Sequence, residues 1–305
     1  MMIKKIGTLS LAVLAVGMTL GLSSGEAAAK KTPKMKHVVL IGTDGFSAEI
    51  VAKNPGRFPN IERLMKDGSY TMEARSVLPS SSAINWATLL MGAGSEMHGF
   101  TEWGSRTPEV EPAYVDPEYG LFPGIFAAVR RGMPEAVTGI VYSWEGIGYL
   151  FEKEAVDFIR STKDDDDEAT RIFCDFVKER NPNFSFMYIS EPDHTGHTYG
   201  WLSPEYVASC QKVDSLVGVI YDCIRENMDP KSTAIIFTSD HGGKGTGHGG
   251  KTMSEIQVPY VVIGPGIPAG KKIERIVMKY DNAPTIADLL RIEAPEQWYG
   301  KSVLR

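Results

Sequence analysis

Residues 238–250 read TSDHGGKGTGHGG and place Asp240, His241 and His248 among six glycines, in a chain with six histidines in all. Two other stretches repeat the combination: IGTDGF carries Asp44, and EPDHTGHTYG carries Asp193, His194 and His197. An isolated aspartate in such a place usually caps a helix, and an isolated histidine usually packs in a core. Three aspartates and three or four histidines on three loops ask for a common purpose. Carboxylate oxygen with imidazole nitrogen suits zinc or another borderline divalent ion. So many donors exceed one tetrahedral site and fit two ions. The glycines let the backbone curl, so that His241 and His248 reach the ions from a single loop.

A candidate nucleophile lies in LPSSSAINWATLLMG (78–92), where Ser80, Ser81 and Ser82 open a helical pattern. A hydroxyl there can cap backbone N–H groups. It can equally attack an electrophile, because a helix N-terminus favours the negative charge of a phosphate or an oxyanion. Spacing does not choose among the three serines.

The elements that must position these residues alternate. Apolar, β-branched runs (HVVLIG, AVTGIVYSW, FSFMYIS, TAIIFTSD, PYVVIGPG) are separated by segments of helical period such as PNIERLMKDGS, EATRIFCDFVKERNP and SPEYVASCQKVDSLVGVIYDCIRENM. The expected fold is α/β, a mostly parallel central sheet with helices on both faces. Asp44, Asp193, Asp240 and their neighbouring histidines each follow an apolar strand run, the place where such sheets bind ligands. YSWEGIG (142–148) follows another strand, so Trp144 or Glu145 could line a pocket there, with packing the expectation for Trp144.

Residues 1–29 have Lys4 and Lys5, an apolar run from Leu9 to Leu22 and a small-residue AAA end, the pattern of a cleaved secretory signal. The apolar run is short and broken by glycine, so no stable membrane anchor is expected, and the mature protein is placed in the periplasm or the medium. Residues 30–305 suffice for a single catalytic domain. A net charge of -6 without a basic stripe does not suggest a nucleic-acid polymer as partner, and none is expected. Three cysteines (Cys174, Cys210, Cys223) in helical, apolar surroundings permit one disulfide and read as buried thiols. The aspartate run KDDDDEA precedes a helix and is expected to serve its N-terminal dipole rather than to bind calcium. Oligomeric state has no signature in the chain.

Together these motifs resemble the alkaline phosphatase superfamily, most closely its nucleotide pyrophosphatase/phosphodiesterase branch. VVLIGTDGF is similar to the first metal-aspartate strand. LPSSSAINWATLLMGAGSEMHGF is similar to the nucleophile segment, and alignment on Pro79 and Asn85 puts the nucleophile at Ser82. EPDHTGHTYG matches the D-x-x-G-H pair as Asp193 and His197, leaving His194 aside. The resemblance implies an alkaline phosphatase-like fold without a large cap and two divalent ions, with zinc the favoured metal. One ion would be held by Asp193, His197 and His248, the other by Asp44, Asp240, His241 and Ser82. It also implies in-line displacement on a small phosphoester through a phosphoseryl intermediate. A phosphomonoesterase, a phosphonate or sulfate ester hydrolase, and an inactive metal-stabilised binding protein are the alternatives. The chain departs from nucleotide-cleaving members in two places: Ala83 stands where an aromatic residue usually follows the nucleophile, and FTEWG with Trp103 replaces an asparagine-bearing segment. Lys251 reads as a surface lysine that could supply a cation in its stead.

Overall fold

The computed structural model describes Met2 and residues 32–305. Apart from Met2, the secretory segment read from residues 1–29 lies outside the described residues. Eight strands form one sheet: β1 (His37–Asp44), β2 (Ser69–Arg75), β3 (Thr138–Tyr142), β4 (Phe158–Ser161), β5 (Phe184–Pro192), β6 (Thr233–Ser239), β7 (Gln257–Ile263) and β8 (Lys271–Lys272). Their order across the sheet is β4-β3-β5-β1-β6-β7-β2-β8. All neighbours are parallel except that β7 runs against both β6 and β2.

Every residue of β1 is buried, and side chains alternate between the two faces. Val38 and Leu40 join a core containing Trp86, Phe126 and Phe186. Val39 and Ile41 join the opposite one, with Phe46, Phe173, Val213 and Phe237. A strand covered on both sides gains from a continuous aliphatic run, which is why HVVLIG lacks polar alternation.

Register positions the chemistry. β1 lies between β5 and β6, with Thr43 opposite both Ile189 and Ser239 and Asp44 opposite Pro192. The carboxyl ends of the three central strands are therefore level, and Asp44, Asp193 and Asp240 emerge side by side.

Two helices carry side-chain caps. Ser203 accepts from the Tyr206 N–H to start Pro204–Asn227, and Asp165 accepts from the Glu168 N–H to start Asp166–Arg180. The aspartate run also does something unforeseen: Asp166 is buried and accepts from the Ser190 and Glu191 N–H groups at 2.9 and 3.1 Å, tying its helix to the end of β5. All three cysteines are buried and free, so the disulfide that their number permitted is not formed. The short β4 and β8 and the helix Asn282–Leu290 were not anticipated.

Candidate active site

Asp44 is held from one side by two neutral donors. Its Oδ2 accepts from the Tyr188 hydroxyl at 2.6 Å and from Trp86 Nε1 at 3.2 Å. Its Oδ1 faces His241 Nε2 and Ser82 Oγ, each at 3.4 Å. The next residue must be glycine: Gly45 has φ +66°, and a Cβ there would stand 2.9 Å from Asp193 atoms. Its N–H donates to Asp240 Oδ1 at 3.0 Å, which links the ends of β1 and β6.

The helical segment Asp193–Tyr199 places His197 one turn beyond Asp193, with Nε2 3.5 Å from Asp193 Oδ2. His248 Nε2 reaches the other oxygen of Asp193 at 3.8 Å. The loop that carries His241 and His248 folds back so that their rings stack at 3.8 Å. Gly243 permits this return, because a side chain there would meet the Trp201 ring at 2.2 Å.

All three imidazoles are oriented in the same way. Nδ1 of His197 donates to the Thr246 carbonyl at 2.9 Å, that of His241 to Gly242 at 2.8 Å, and that of His248 to Ser80 at 3.0 Å. A carbonyl can only accept, so the hydrogen sits on Nδ1 and each Nε2 presents a lone pair to the cavity. Burial pushes the His248 pKa down to about 3 and lowers that of His241, keeping both neutral.

The three serines have separate partners, and none caps the helix Ser82–Met91 with its side chain. Ser80 Oγ donates to the Gly250 carbonyl at 2.8 Å, and Ser81 Oγ lies 3.5 Å from His248 Nδ1. Ser82, the first helical residue, points its Oγ at His241 Nε2 at 3.1 Å. Asn85 shapes the turn before it, accepting from the Val77 N–H and donating to carbonyls of Val77, Pro79 and Ser81. The capping expectation fails here because the loop carbonyls and the histidines claim the hydroxyls.

Charge shows what the cluster lacks. Burial raises the carboxyls of Asp44 and Asp240 to about 7, with mutual repulsion adding at Asp44. Burial followed by the charges of Asp44 and Asp240 pushes Asp193 to about 9. Asp193 Oδ1 and Asp240 Oδ2 are buried without a hydrogen-bond donor. Orphaned acceptors beside aimed imidazole lone pairs are a fit for bound cations, which satisfy both. Donor atoms of Asp193, His197 and His248 lie within 4.8 Å of one another, and so do those of Asp44, Asp193 and His241. The second group differs in one respect from the expected division: Asp193 borders both clusters, and Asp240 approaches the second through Oδ2, 3.3 Å from His241 Nε2.

Sequence reasoning missed Lys279. It is buried beneath Asp240, and its ammonium donates to Thr238 Oγ1 at 3.1 Å and to the Ser239 carbonyl. Burial lowers its pKa to about 7 while the Asp240 charge opposes that shift. A single lysine in VMKYDNAP carried no signal. Tyr188 and Trp86 were passed over because, inside FSFMYIS and AINWATLLMG, they read as core.

A cavity of about 520 Å³ opens over the cluster, lined by Ser82, Asp193, His248, Tyr188, Trp103 and Trp144 among others. Trp144 therefore faces the cavity as well as packing against the core. Exposed His194 stands at the rim and belongs to neither donor group. Lys251 is exposed and lines no part of this cavity, and among the described residues neither does any other lysine or arginine.

A family model described as type I phosphodiesterase / nucleotide pyrophosphatase matches residues 38–252. Human ectonucleotide pyrophosphatase/phosphodiesterase family member 1 is 28% identical over 227 residues, 67% of this chain and 23% of that protein. Venom phosphodiesterase 2 of Crotalus adamanteus is 24% identical over 237 residues, 72% of this chain and 28% of that protein. The aligned part thus spans about a quarter of these relatives' length, 23% and 28% respectively. Among solved structures, murine ectonucleotide pyrophosphatase / phosphodiesterase 5 superposes with a TM-score of 0.68 at 15% identity, covering 85% of this chain and 96% of that one. A 2-O GAG sulfatase gives 0.66 at 14% identity, covering 88% and 73%. At such identities the likeness is one of fold, an alkaline phosphatase-like α/β architecture.

Proposed function

The chain belongs to the type I phosphodiesterase / nucleotide pyrophosphatase family, and from that premise we propose that it is a two-metal phosphodiester hydrolase acting through a phosphoseryl intermediate on Ser82. The observation that carries this reading is the convergence of Ser82 Oγ with His241 Nε2 and Asp44 Oδ1 at a helix N-terminus, beside the orphaned carboxylate oxygens of Asp193 and Asp240.

Asp193, His197 and His248 would hold one divalent cation, and Asp44, Asp240, His241 and Ser82 the other, with zinc favoured by the mixed oxygen and nitrogen donors. Such ions supply the positive charge that lowers the barrier to forming and expelling oxyanions at phosphorus. The chain's own residues do the rest. Tyr188 and Trp86 fix the Asp44 carboxylate, and the three backbone carbonyls fix the imidazoles, so the donors are set before substrate arrives. Ser82 Oγ, which converges with His241 Nε2 and Asp44 Oδ1, would give up its proton to solvent with the cation held there, and forms the new bond to phosphorus as the ester oxygen leaves from the opposite side and takes a proton from water. Water then cleaves the bond between Ser82 Oγ and phosphorus, releasing the phosphate monoester and restoring the hydroxyl.

Charge favours a diester. A phosphate monoester brings two negative charges, yet among the described residues no lysine or arginine lines the cavity to meet the second. We assign the signal-like residues 1–29 to export and residues 30–305 to one catalytic domain meeting its small phosphoester outside the cytoplasm. Among the described residues no helix is long and apolar enough to cross a membrane.

The test is kcat/KM for bis(p-nitrophenyl) phosphate, p-nitrophenyl phosphate and p-nitrophenyl sulfate, with and without a chelator. We expect the diester to lead and chelation to abolish turnover, with activity returning on adding zinc. A leading monoester or sulfate would overturn the diester assignment, and chelator-resistant turnover would overturn the metal one.

A further inference from the structure

Trp103 is 66% exposed, yet it does not sit on a loose tip. Its carbonyl accepts from the Ala83 N–H at 3.1 Å, which pins it to the residue after Ser82. Around it, buried Ser105 accepts from the Glu102 N–H at 3.0 Å and donates to Glu109 at 2.8 Å, and the Glu109 carboxylate also takes the Thr101 N–H at 2.8 Å. A large exposed indole on a loop braced in this way is ordered in advance, so it loses little entropy when something stacks on it.

The other wall is Trp144, whose ring lies against Gly146, where a Cβ would come within 2.1 Å of it. Trp103 and Trp144 line not only the cavity over Ser82 but also a second one of about 350 Å³, continuing toward Arg106, Glu145, Lys163 and Asp164. Two cations and two anions around the outer cavity leave no net charge to recruit a second ionic group. What the inner wall offers is aromatic face, and what the outer rim offers is hydrogen-bond donors and acceptors in equal measure.

We propose that the cleft between Trp103 and Trp144 is a subsite for a neutral ring-bearing ester substituent of the phosphodiester, with Trp103 as the residue that determines this preference. The ring, aromatic or sugar, stacks on indole while its polar edge meets the outer charged groups. This inference rests on the phosphodiesterase reading for its substrate but not for its binding surface.

The experiment compares kcat/KM for the methyl, phenyl and glucose-6-yl esters of p-nitrophenyl phosphate in the wild type, Trp103→Ala and Trp103→Phe. The ratio of a ring ester to the methyl ester should fall roughly tenfold to a hundredfold in Trp103→Ala, mostly through KM, and recover largely in Trp103→Phe. A fall confined to the phenyl ester assigns an aromatic ring, and one confined to the glucose ester assigns a sugar. An unchanged ratio overturns the proposal, as does an equal loss on all three esters, which would mark Trp103 as structural. Hydrolysis of none of them by the wild type would sink the phosphodiesterase reading alone. The subsite is then judged by binding of phenyl phosphate, glucose 6-phosphate and inorganic phosphate to Ser82→Ala with and without Trp103→Ala: a selective loss on the two organic ligands supports it, and no selective loss overturns it.

Discussion

Ser82 Oγ lies 3.1 Å from His241 Nε2, on an imidazole whose other nitrogen is already committed to the Gly242 carbonyl. The direction of the lone pair beside the serine is therefore fixed, and it converges with Asp44 Oδ1 on the same hydroxyl. If this oxygen attacks phosphorus, acid quenching during turnover of a diester should trap the phosphoryl group, with its retained ester substituent, on the peptide containing Ser82. Ser82→Ala should show no trapped phosphate and lose roughly 10³-fold or more in kcat while its melting temperature stays close to the wild type. Undiminished turnover in the alanine variant would mean direct attack by water.

The Tyr188 hydroxyl is buried and donates to Asp44 at 2.6 Å. Tyr188→Phe keeps the ring packed against Trp86 but removes the donor. Zinc affinity measured by competition with a chromophoric chelator should weaken by about 10- to 100-fold, the usual effect of losing a group that orients a ligand. Unaltered affinity would show that Trp86 Nε1 suffices to hold Asp44 in place.

Zinc binding should also depend on pH in a definite direction. Raised carboxyl pKa values at Asp44, Asp193 and Asp240, from about 7 to about 9, mean that without ions the native state holds protons that the unfolded chain releases. Stability of the ion-free protein should therefore fall as pH rises through that interval. A cation must displace those protons, so its apparent affinity rises over the same range. Differential scanning calorimetry at pH 6 and pH 8 should show a larger zinc-induced rise in melting temperature at the higher pH. Equal rises would count against proton displacement.

Glu152 neither lines the cavity nor belongs to either donor group. Its side chain is buried, one oxygen accepts from the Gly124 N–H, the other has no partner, and burial raises its pKa from 4.5 to about 7. A raised carboxyl stabilises the fold fully below its unfolded pKa and loses that contribution as pH climbs through the folded value. Glu152→Gln retains the acceptor without the charge. Urea unfolding should find it equal to the wild type near pH 4 and more stable at pH 8, by up to ~3 kcal/mol, since each tenfold change in proton affinity is worth about 1.4 kcal/mol. An advantage independent of pH would point to packing instead.

The five apolar strands, the mostly parallel sheet, and the placing of Asp44, Asp193, His197, Asp240, His241 and His248 after strand ends were written in local sequence, whereas the short β4 and β8 were not. Aliphatic runs report burial on two faces, and Gly-Asp-His loops between such runs report where ligands collect. Other features depend on residues distant in the chain, and periodicity says nothing of them. Spacing could not choose among Ser80, Ser81 and Ser82; the register of β1 between β5 and β6 and the bracing by Asn85 did, turning only Ser82 toward Asp44 and His241. Nor could composition separate Tyr188, Trp86 or Lys279 from ordinary core residues, since their work is done across 144, 42 and 41 residues of sequence. Which donors exist, and at which end of the sheet they stand, follows from local patterns and is legible along the chain. Which atoms of those donors face one another does not, because hydrogen bonds and packing between distant segments aim each side chain.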